Sequence, residues 1–411
     1  MTKVKYFLSI FIFSIICLLF CNYNNTKPQP KQKEIIFWTV QLSPFRNYMN
    51  NVISRFEKEN ETIKIKWIDI PYAEAEKRIL ASLLSNSMPD LINITSDFNM
   101  TLANKGALTA IHTISNQYAT PILKTITIDK TIWGLPFYAT SAITVYNKEL
   151  IKNFNVKKQP QTYMQLFDLI EQSPSINNKY IFMPTLTEND TFYKILNKYN
   201  LNSPDTITNN ETIKFFTIIK KLYDEEKIPK DSITQTHREV LEKYSSGQIA
   251  YLQIGANFLN IIKENSLDIY NKTDVSTQFY GKEKTFDFSL MTLAIPQKAK
   301  YKAEALLFAE FLTNEENQLE FAKQTGVLPC NEKALNDEYF NATNSKDLQI
   351  KARNIAAKQL LSPINYPQQT SKHKEIITLI NQTIEQILLT NNNTNLLLEK
   401  LKSNWLKLIM S

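Results

Sequence analysis

From Glu34 onward, short β-rich runs alternate with segments whose apolar residues recur at helical spacing, and that alternation confines the chain to layered α/β architectures. Residues 34–40 read as a strand. Residues 45–60 follow as a helix, with Phe45, Tyr48, Val52, Ile53 and Phe56 on one face. A second strand is expected over 63–70, a second helix over 73–84, and a third strand over 91–95, introduced by Pro89-Asp90. Two βαβ units in succession predict a mostly parallel sheet with right-handed crossovers and helices on both faces.

Further along, Gly134-Leu135-Pro136 opens a β-rich run to Tyr146, and helices are expected over 162–171 and 210–226. Residues 241–246 lead through Gly247 into a strand over 249–254, and 290–295 is a strand stopped by Pro296. The pattern then predicts one long helix over 303–324 capped by Gly326, and two terminal helices over 374–390 and 396–409. The 411 residues, 43% hydrophobic and 21% charged, suffice for two or three domains or one bilobal unit, and exclude a disordered, collagenous or polytopic membrane chain.

Before this body lies a different kind of segment. Lys3 and Lys5 precede an apolar stretch over 6–20, after which polarity returns at Asn22, the layout of an export signal. The stretch is shorter than the roughly 20 residues of a spanning helix. An uncleaved anchor is the alternative. It ends in Leu18-Leu19-Phe20-Cys21, which resembles the bacterial lipobox, although Phe20 departs from the small residue usual before the lipidated Cys. The resemblance implies cleavage after residue 20, a lipid on Cys21 and a membrane-anchored exported protein, with Cys17 as the weaker alternative. Residues 22–33, with Pro28 and Pro30, read as a flexible tether. Cys330 is then left without an intrachain partner and is expected to be buried.

The net charge of +7 is spread without basic blocks, which gives no footprint for nucleic acid. His112, His237 and His373 are far apart and in no paired metal spacing. There is no GxSxG elbow, no GxxxxGK[ST] loop and no GxGxxG fingerprint. Neither a cofactor nor an enzymatic activity is expected.

Four ordered stretches resemble the family 1 extracellular solute-binding proteins, the sugar receptors of bacterial ABC importers. They are Met88-Pro89-Asp90-Leu91-Ile92 with Leu102 to Leu108; Trp133-Gly134-Leu135-Pro136-Phe137-Tyr138 with Tyr146-Asn147-Lys148-Glu149-Leu150 and Pro160-Gln161-Thr162-Tyr163; Gly247-Gln248-Ile249-Ala250-Tyr251; and Ala303-Glu304-Ala305 with Phe311-Leu312-Thr313 and Gly326-Val327-Leu328-Pro329. Tyr163 stands where that family usually has Trp. The resemblance implies a periplasmic-binding-protein-like α/β fold of two lobes, with crossings near 139–144, 291–296 and 331–336 and a ligand cleft between them. Lobe one would be 34–140 plus 291–335, and lobe two 141–290 plus 336–411. It also implies a monomer that delivers a solute, a sugar before others, to membrane permease subunits.

In open α/β sheets ligands sit beyond the carboxyl ends of strands, which selects candidate contacts. Trp38, Gln41, Asp97 and Phe98 follow strands of lobe one. For Trp38 the competing role is core, and for Asp97 a helix N-cap. Tyr138 lies at a crossing, where an exposed ring stacks on a sugar and a buried one is a strand residue. Gln253 and Asn257 lie at the end of the strand after Gly247, and Tyr366, between Pro363 and Pro367, resembles a late aromatic of the family. The alternatives are the same fold with a polyol phosphate, peptide or polyamine, a surface lipoprotein that no longer transports, and a hydrolase.

Overall fold

The computed structural model describes residues 32–85, 87–112, 117–342, 345–362 and 372–410. The expectations placed on the export signal, Cys21, most of the tether and Tyr366 lie outside these residues.

Strand β1 (Lys33–Val40) pairs in parallel with β2 (Ile63–Ile70), Lys33 opposite Ile63 through Val40 opposite Ile70, and with β3 (Leu91–Thr95) on its other side. Helix α1 (Arg46–Glu59) closes the first crossover, burying Tyr48, Met49, Val52, Ile53 and Phe56 on one face. Each such side chain removed from water contributes about 1.5–3 kcal/mol before entropy is counted. Helix α2 (Tyr72–Leu83) makes the second crossover and buries Ala75 and Ile79. Helix α3 (Ser96–Asn104) starts at the carboxyl end of β3, where the Thr95 hydroxyl accepts the Phe98 N–H at 3.2 Å. That gives the N-cap to Thr95 and leaves Asp97 in the first turn.

Beyond this point the sheet departs from the mostly parallel expectation. Strand β4 (Leu135–Asn147) is thirteen residues long and antiparallel to its partners. Its first half pairs with β8 (Phe288–Ala294), and its second with β6 (Ile249–Gly255) and β7 (Thr273–Ser276). Strand β8 is also antiparallel to β3, whereas β5 (Tyr180–Phe182) is parallel to β6. The strand order is β2-β1-β3-β8-β4-β6-β5, with β7 and β9 (Leu328–Pro329) also on β4. The antiparallel pairings of this sheet all involve β4 or β8, in its middle. Local pattern shows strands but not the direction of their neighbours.

The expected helix over 303–324 is two helices, α8 (Lys302–Leu312) and α9 (Glu315–Thr325). The break has a local cause. The Asn314 side chain accepts the Asn317 N–H at 2.8 Å as an N-cap, and the Thr313 hydroxyl bonds back to the Ala309 carbonyl at 2.8 Å. Gly326 then ends α9 at φ 77°, a left-handed position suited to glycine.

One apolar core runs from α1, α8 and α9 past β4 to β6, and contains Phe37, Phe137, Phe308 and Phe321, the rings of Phe137 and Phe321 stacked at 5.3 Å. A second core lies under α4 (Tyr163–Gln172), α5 (Thr191–Asn197), α6 (Asn210–Asp224), α11 (His373–Leu389) and α12 (Thr394–Met410). Cys330 is fully buried as expected and has no disulfide.

Between the cores, buried glutamines tie the crossing chains. Gln278 donates to the Asp287 carbonyl at 2.7 Å and accepts the Asp287 N–H at 3.1 Å, holding both polar atoms of that backbone unit. Gln359, on α10 (Leu348–Leu360), accepts the Gln278 N–H at 2.7 Å and donates to the Ala142 carbonyl at 2.7 Å. Elsewhere Gln318 donates to the Pro136 carbonyl at 2.9 Å and accepts the Asn331 N–H at 2.8 Å. Buried polar groups satisfied this way fix one arrangement of the chains they join.

Candidate functional site

A cavity of about 410 Å³ opens at the carboxyl ends of β5 and β6 and extends to the start of β8. Its walls come from elements distant in sequence. Met183, Pro184 and Thr185 follow β5; Gln253, Ile254 and Gly255 end β6; Asn257 and Phe258 follow; and Asp287, Phe288 and Ser289 enter β8. Asp190, Thr191 and Lys194 come from the start of α5, and His237 opens α7 (His237–Ser245). This is where an open α/β sheet holds a ligand.

The wall is held from behind. Gln253 Oε1 accepts the Tyr163 hydroxyl at 2.7 Å, which fixes the amide with its nitrogen 3.5 Å from the Thr144 hydroxyl. The loop bearing Glu188 is gripped by Asn381 of α11, which donates to the Thr187 and Asn189 carbonyls at 3.0 and 2.8 Å. Glu188 in turn accepts the His237 backbone N–H at 2.8 Å. Burial lowers the pKa of the His237 imidazole although Glu188 opposes it, so the ring is neutral near pH 7. It stands edge-on to Phe258 at 5.8 Å.

Charges on this wall are paired. Asp190 Oδ2 is 3.0 Å from Lys194 Nζ, and Asp287 Oδ2 is 2.7 Å from Lys198 Nζ. The Lys198 side chain is only 3% exposed and outside the lining, so it supports the wall residue Asp287 from beneath. The Lys198 carbonyl packs against Gly281, where an added Cβ would come within 1.9 Å of it, so only glycine fits. Burial opposes the Lys194 charge, but Asp190, Asp287 and Asp97 together raise its pKa above the ordinary lysine value.

Asp97, in the first turn of α3, does not line the cavity, but its charge reaches Lys194. Burial lowers the pKa of His373, at the start of α11, while the same Asp97 and Asp190 pull it up. Its ring stands edge-on to Tyr193 at 5.2 Å. Nearby, Lys374 of α11 forms an ion pair with Glu76 of α2. On the first lobe, Asp69 accepts the N–H groups of Leu42 and Ser43 at 2.9 and 2.8 Å and the Thr39 hydroxyl at 2.6 Å. Although burial would raise its pKa, these bonds and the Ser43 hydroxyl hold it below the usual carboxylate value.

The residues singled out in the sequence divide among these places. Gln253 and Asn257 line the cavity. Asp97 is half-buried on α3, and its carbonyl accepts the Thr101 hydroxyl at 3.0 Å. Tyr138 is half-buried beside Phe137 and Phe321, and feels the charge of Asp69. Gln41 is exposed after β1 at φ 55°, its N–H on the Ile70 carbonyl at 3.0 Å. Trp38 packs half-buried against the apolar cluster of Ile79, Ile92 and Leu102, and Phe98 is a buried member of that cluster. The lining of the cavity does not include Trp38, Gln41, Asp97, Phe98 or Tyr138.

Reading the sequence missed Glu188, Asp190, Lys194, His237, Asp287, Phe258 and Phe288. A usable signal was present in the polar run after Tyr180-Ile181-Phe182-Met183-Pro184, since it occupies the same place after a strand as Asp97 does.

Comparison with known proteins agrees with this geometry. The chain is similar to the galactooligosaccharide-binding protein of Bacillus subtilis, 22% identical over 330 residues that cover 76% of each chain. Among solved structures it is similar to the sugar-binding protein MalE from Xanthomonas citri, with a TM-score of 0.76 at 17% identity, covering 92% of this chain and 98% of that one. It is also similar to an ABC substrate-binding protein from Listeria monocytogenes in complex with cycloalternan, with a TM-score of 0.71 at 18% identity, covering 92% and 99%. The family model described as bacterial extracellular solute-binding protein matches residues 51–347. With two lobes, a cleft at the strand ends and a family match over most of its length, the chain belongs to the bacterial extracellular solute-binding proteins.

Proposed function

We propose that this protein is the substrate-binding component of an ABC importer, and that it captures a sugar or short oligosaccharide in the cleft and presents it to membrane permease subunits. The observation that carries the reading is the cavity wall, where Gln253 and Asn257 offer planar hydrogen-bonding groups beside the Phe258 and Phe288 rings. A sugar has hydroxyls for the first and a C–H face for the second. The names of the relatives, galactooligosaccharide-binding and sugar-binding among them, support the same cargo. Lobe one is 34–140 with 291–335, lobe two is 141–290 with 336–411, and Tyr138 and Asp97 contact cargo from the first lobe. Closure of the lobes on cargo is the state a permease reads.

The protein acts as a monomer tethered through residues 22–33 to a lipid on Cys21. Among the described residues no helix is long and apolar enough to cross a membrane.

A thermal-shift and calorimetry panel of mono- and oligosaccharides tests the cargo, using protein that begins at Gln32. One saccharide at a hundredfold excess over its Kd is expected to add about 2.7 kcal/mol to stability. No response to any sugar, with a response to an amine or a phosphate compound, removes the cargo assignment. Palmitate labelling of the full chain is expected to vanish in Cys21→Ala.

A further inference from the structure

We propose that Lys194 is a specificity-determining residue of the cleft, its ammonium filling the place a cationic group of a cargo would take, so that the cleft admits uncharged polyols and rejects amines. This rests on the cleft reading above and deepens it.

The cavity wall carries three carboxylates, Glu188, Asp190 and Asp287, and the charge of Asp97 also reaches it at Lys194. A wall of that kind would draw a protonated amine. In this fold each carboxylate on the wall already has an internal partner. Asp190 has Lys194 at 3.0 Å, Asp287 has the buried Lys198 at 2.7 Å, and Glu188 has the His237 N–H at 2.8 Å. Lys194 differs from Lys198 in position. Lys198 lies outside the lining, whereas Lys194 is itself part of the wall, 40% exposed, and interacts with Asp190, Asp287 and Asp97.

Two consequences follow for cargo. The Lys194 ammonium donates hydrogen bonds only, so a cargo group beside it must present acceptor oxygens, as a hydroxyl or ring ether does. A cargo amine at the same place would meet a like charge, which costs more as water is expelled on closure. Removing the ammonium reverses both terms. Asp190 loses its 3.0 Å partner, and the place the ammonium left lies within reach of the charges of Asp190, Asp287 and Asp97, which makes a ready cation site.

The test is calorimetric titration of the wild type, Lys194→Met, Lys194→Gln and Lys194→Arg at neutral pH. The probes are neutral saccharides, short glucosamine oligomers and spermidine, each at low and high salt. Because the side chain is partly exposed on a short helix, these variants are expected to fold, and the Gln variant serves if the Met variant does not. The Met and Gln variants are expected to bind the wild type's saccharide about tenfold more weakly, and to gain at least about tenfold for the cationic probes in a salt-sensitive way. The Arg variant is expected to keep the wild-type preference.

An unchanged preference in Lys194→Met and Lys194→Gln overturns the proposal, as does a wild type that prefers the cationic probes. If the wild type binds no saccharide but the Met or Gln variant gains spermidine, the sugar reading falls and the assignment of Lys194 stands. If neither occurs, both fall.

Discussion

Asp69 shows how one side chain prepares a cleft it does not line. Its carboxylate collects two backbone N–H groups and two hydroxyls from β1 and the turn after it, and so fixes the turn that carries Gln41. Its depressed pKa means that the unfolded chain takes up this proton first as pH falls. The stabilisation is therefore complete above the ordinary aspartate pKa of about 3.9 and is lost as pH drops through the lower folded value. Asp69→Asn is expected to cost about 1.5–3 kcal/mol at pH 7, read by urea denaturation, with the cost shrinking in acid. An equal cost at all pH values would show that the charge is not what the turn uses. At this scale the sequence was informative only where position implied chemistry. Gln253 and Asn257, which line the cavity, could be found because they lie at the end of a strand, whereas Lys194 and Glu188 look like any solvated surface charges until α5 and the loop before it are packed.

Among the elements, β2 and β3 were legible to the residue because β-branched runs stand between clear breaks, Asn60 before one and Pro89-Asp90 before the other. The pair α8 and α9 was not, because apolar spacing continues across Thr313 and Asn314 and conceals a cap inside what reads as one helix. Asn314→Ala is expected to cost about 1 kcal/mol by loss of the cap, measurable as a lower denaturation midpoint with unchanged m-value. Asn314→Asp, which keeps the acceptor, is expected to restore it. The direction of β4 and β8 could not be read either. A strand's own residues encode its two faces, not whether its neighbour runs with it or against it.

For the molecule as a whole, the family and the fold class were legible through the ordered family-like stretches, while the charge balance of the cavity was a product of folding. That balance includes two half-buried imidazoles, His237 and His373, both with pKa values lowered by burial. A lowered histidine pKa leaves the fold unaffected above the ordinary value of about 6.5 and destabilises it progressively below, because the unfolded chain binds the proton more readily. The melting temperature is therefore expected to fall between pH 7 and pH 5. His237→Gln is expected to flatten part of that fall, and a pH profile identical to wild type would exclude the ring from it.

Strand β4 has a consequence for any motion between the lobes. One continuous ribbon is bonded at its first half to β8 and at its second to β6, and the glutamine clasp at Ala142 and Asp287 sits beside the changeover. The two bodies thus share a spine instead of meeting at a greased joint. A turn of either must travel as torsion through unbroken main chain, so a break in the polypeptide there would loosen the coupling of the jaws even if each kept its shape.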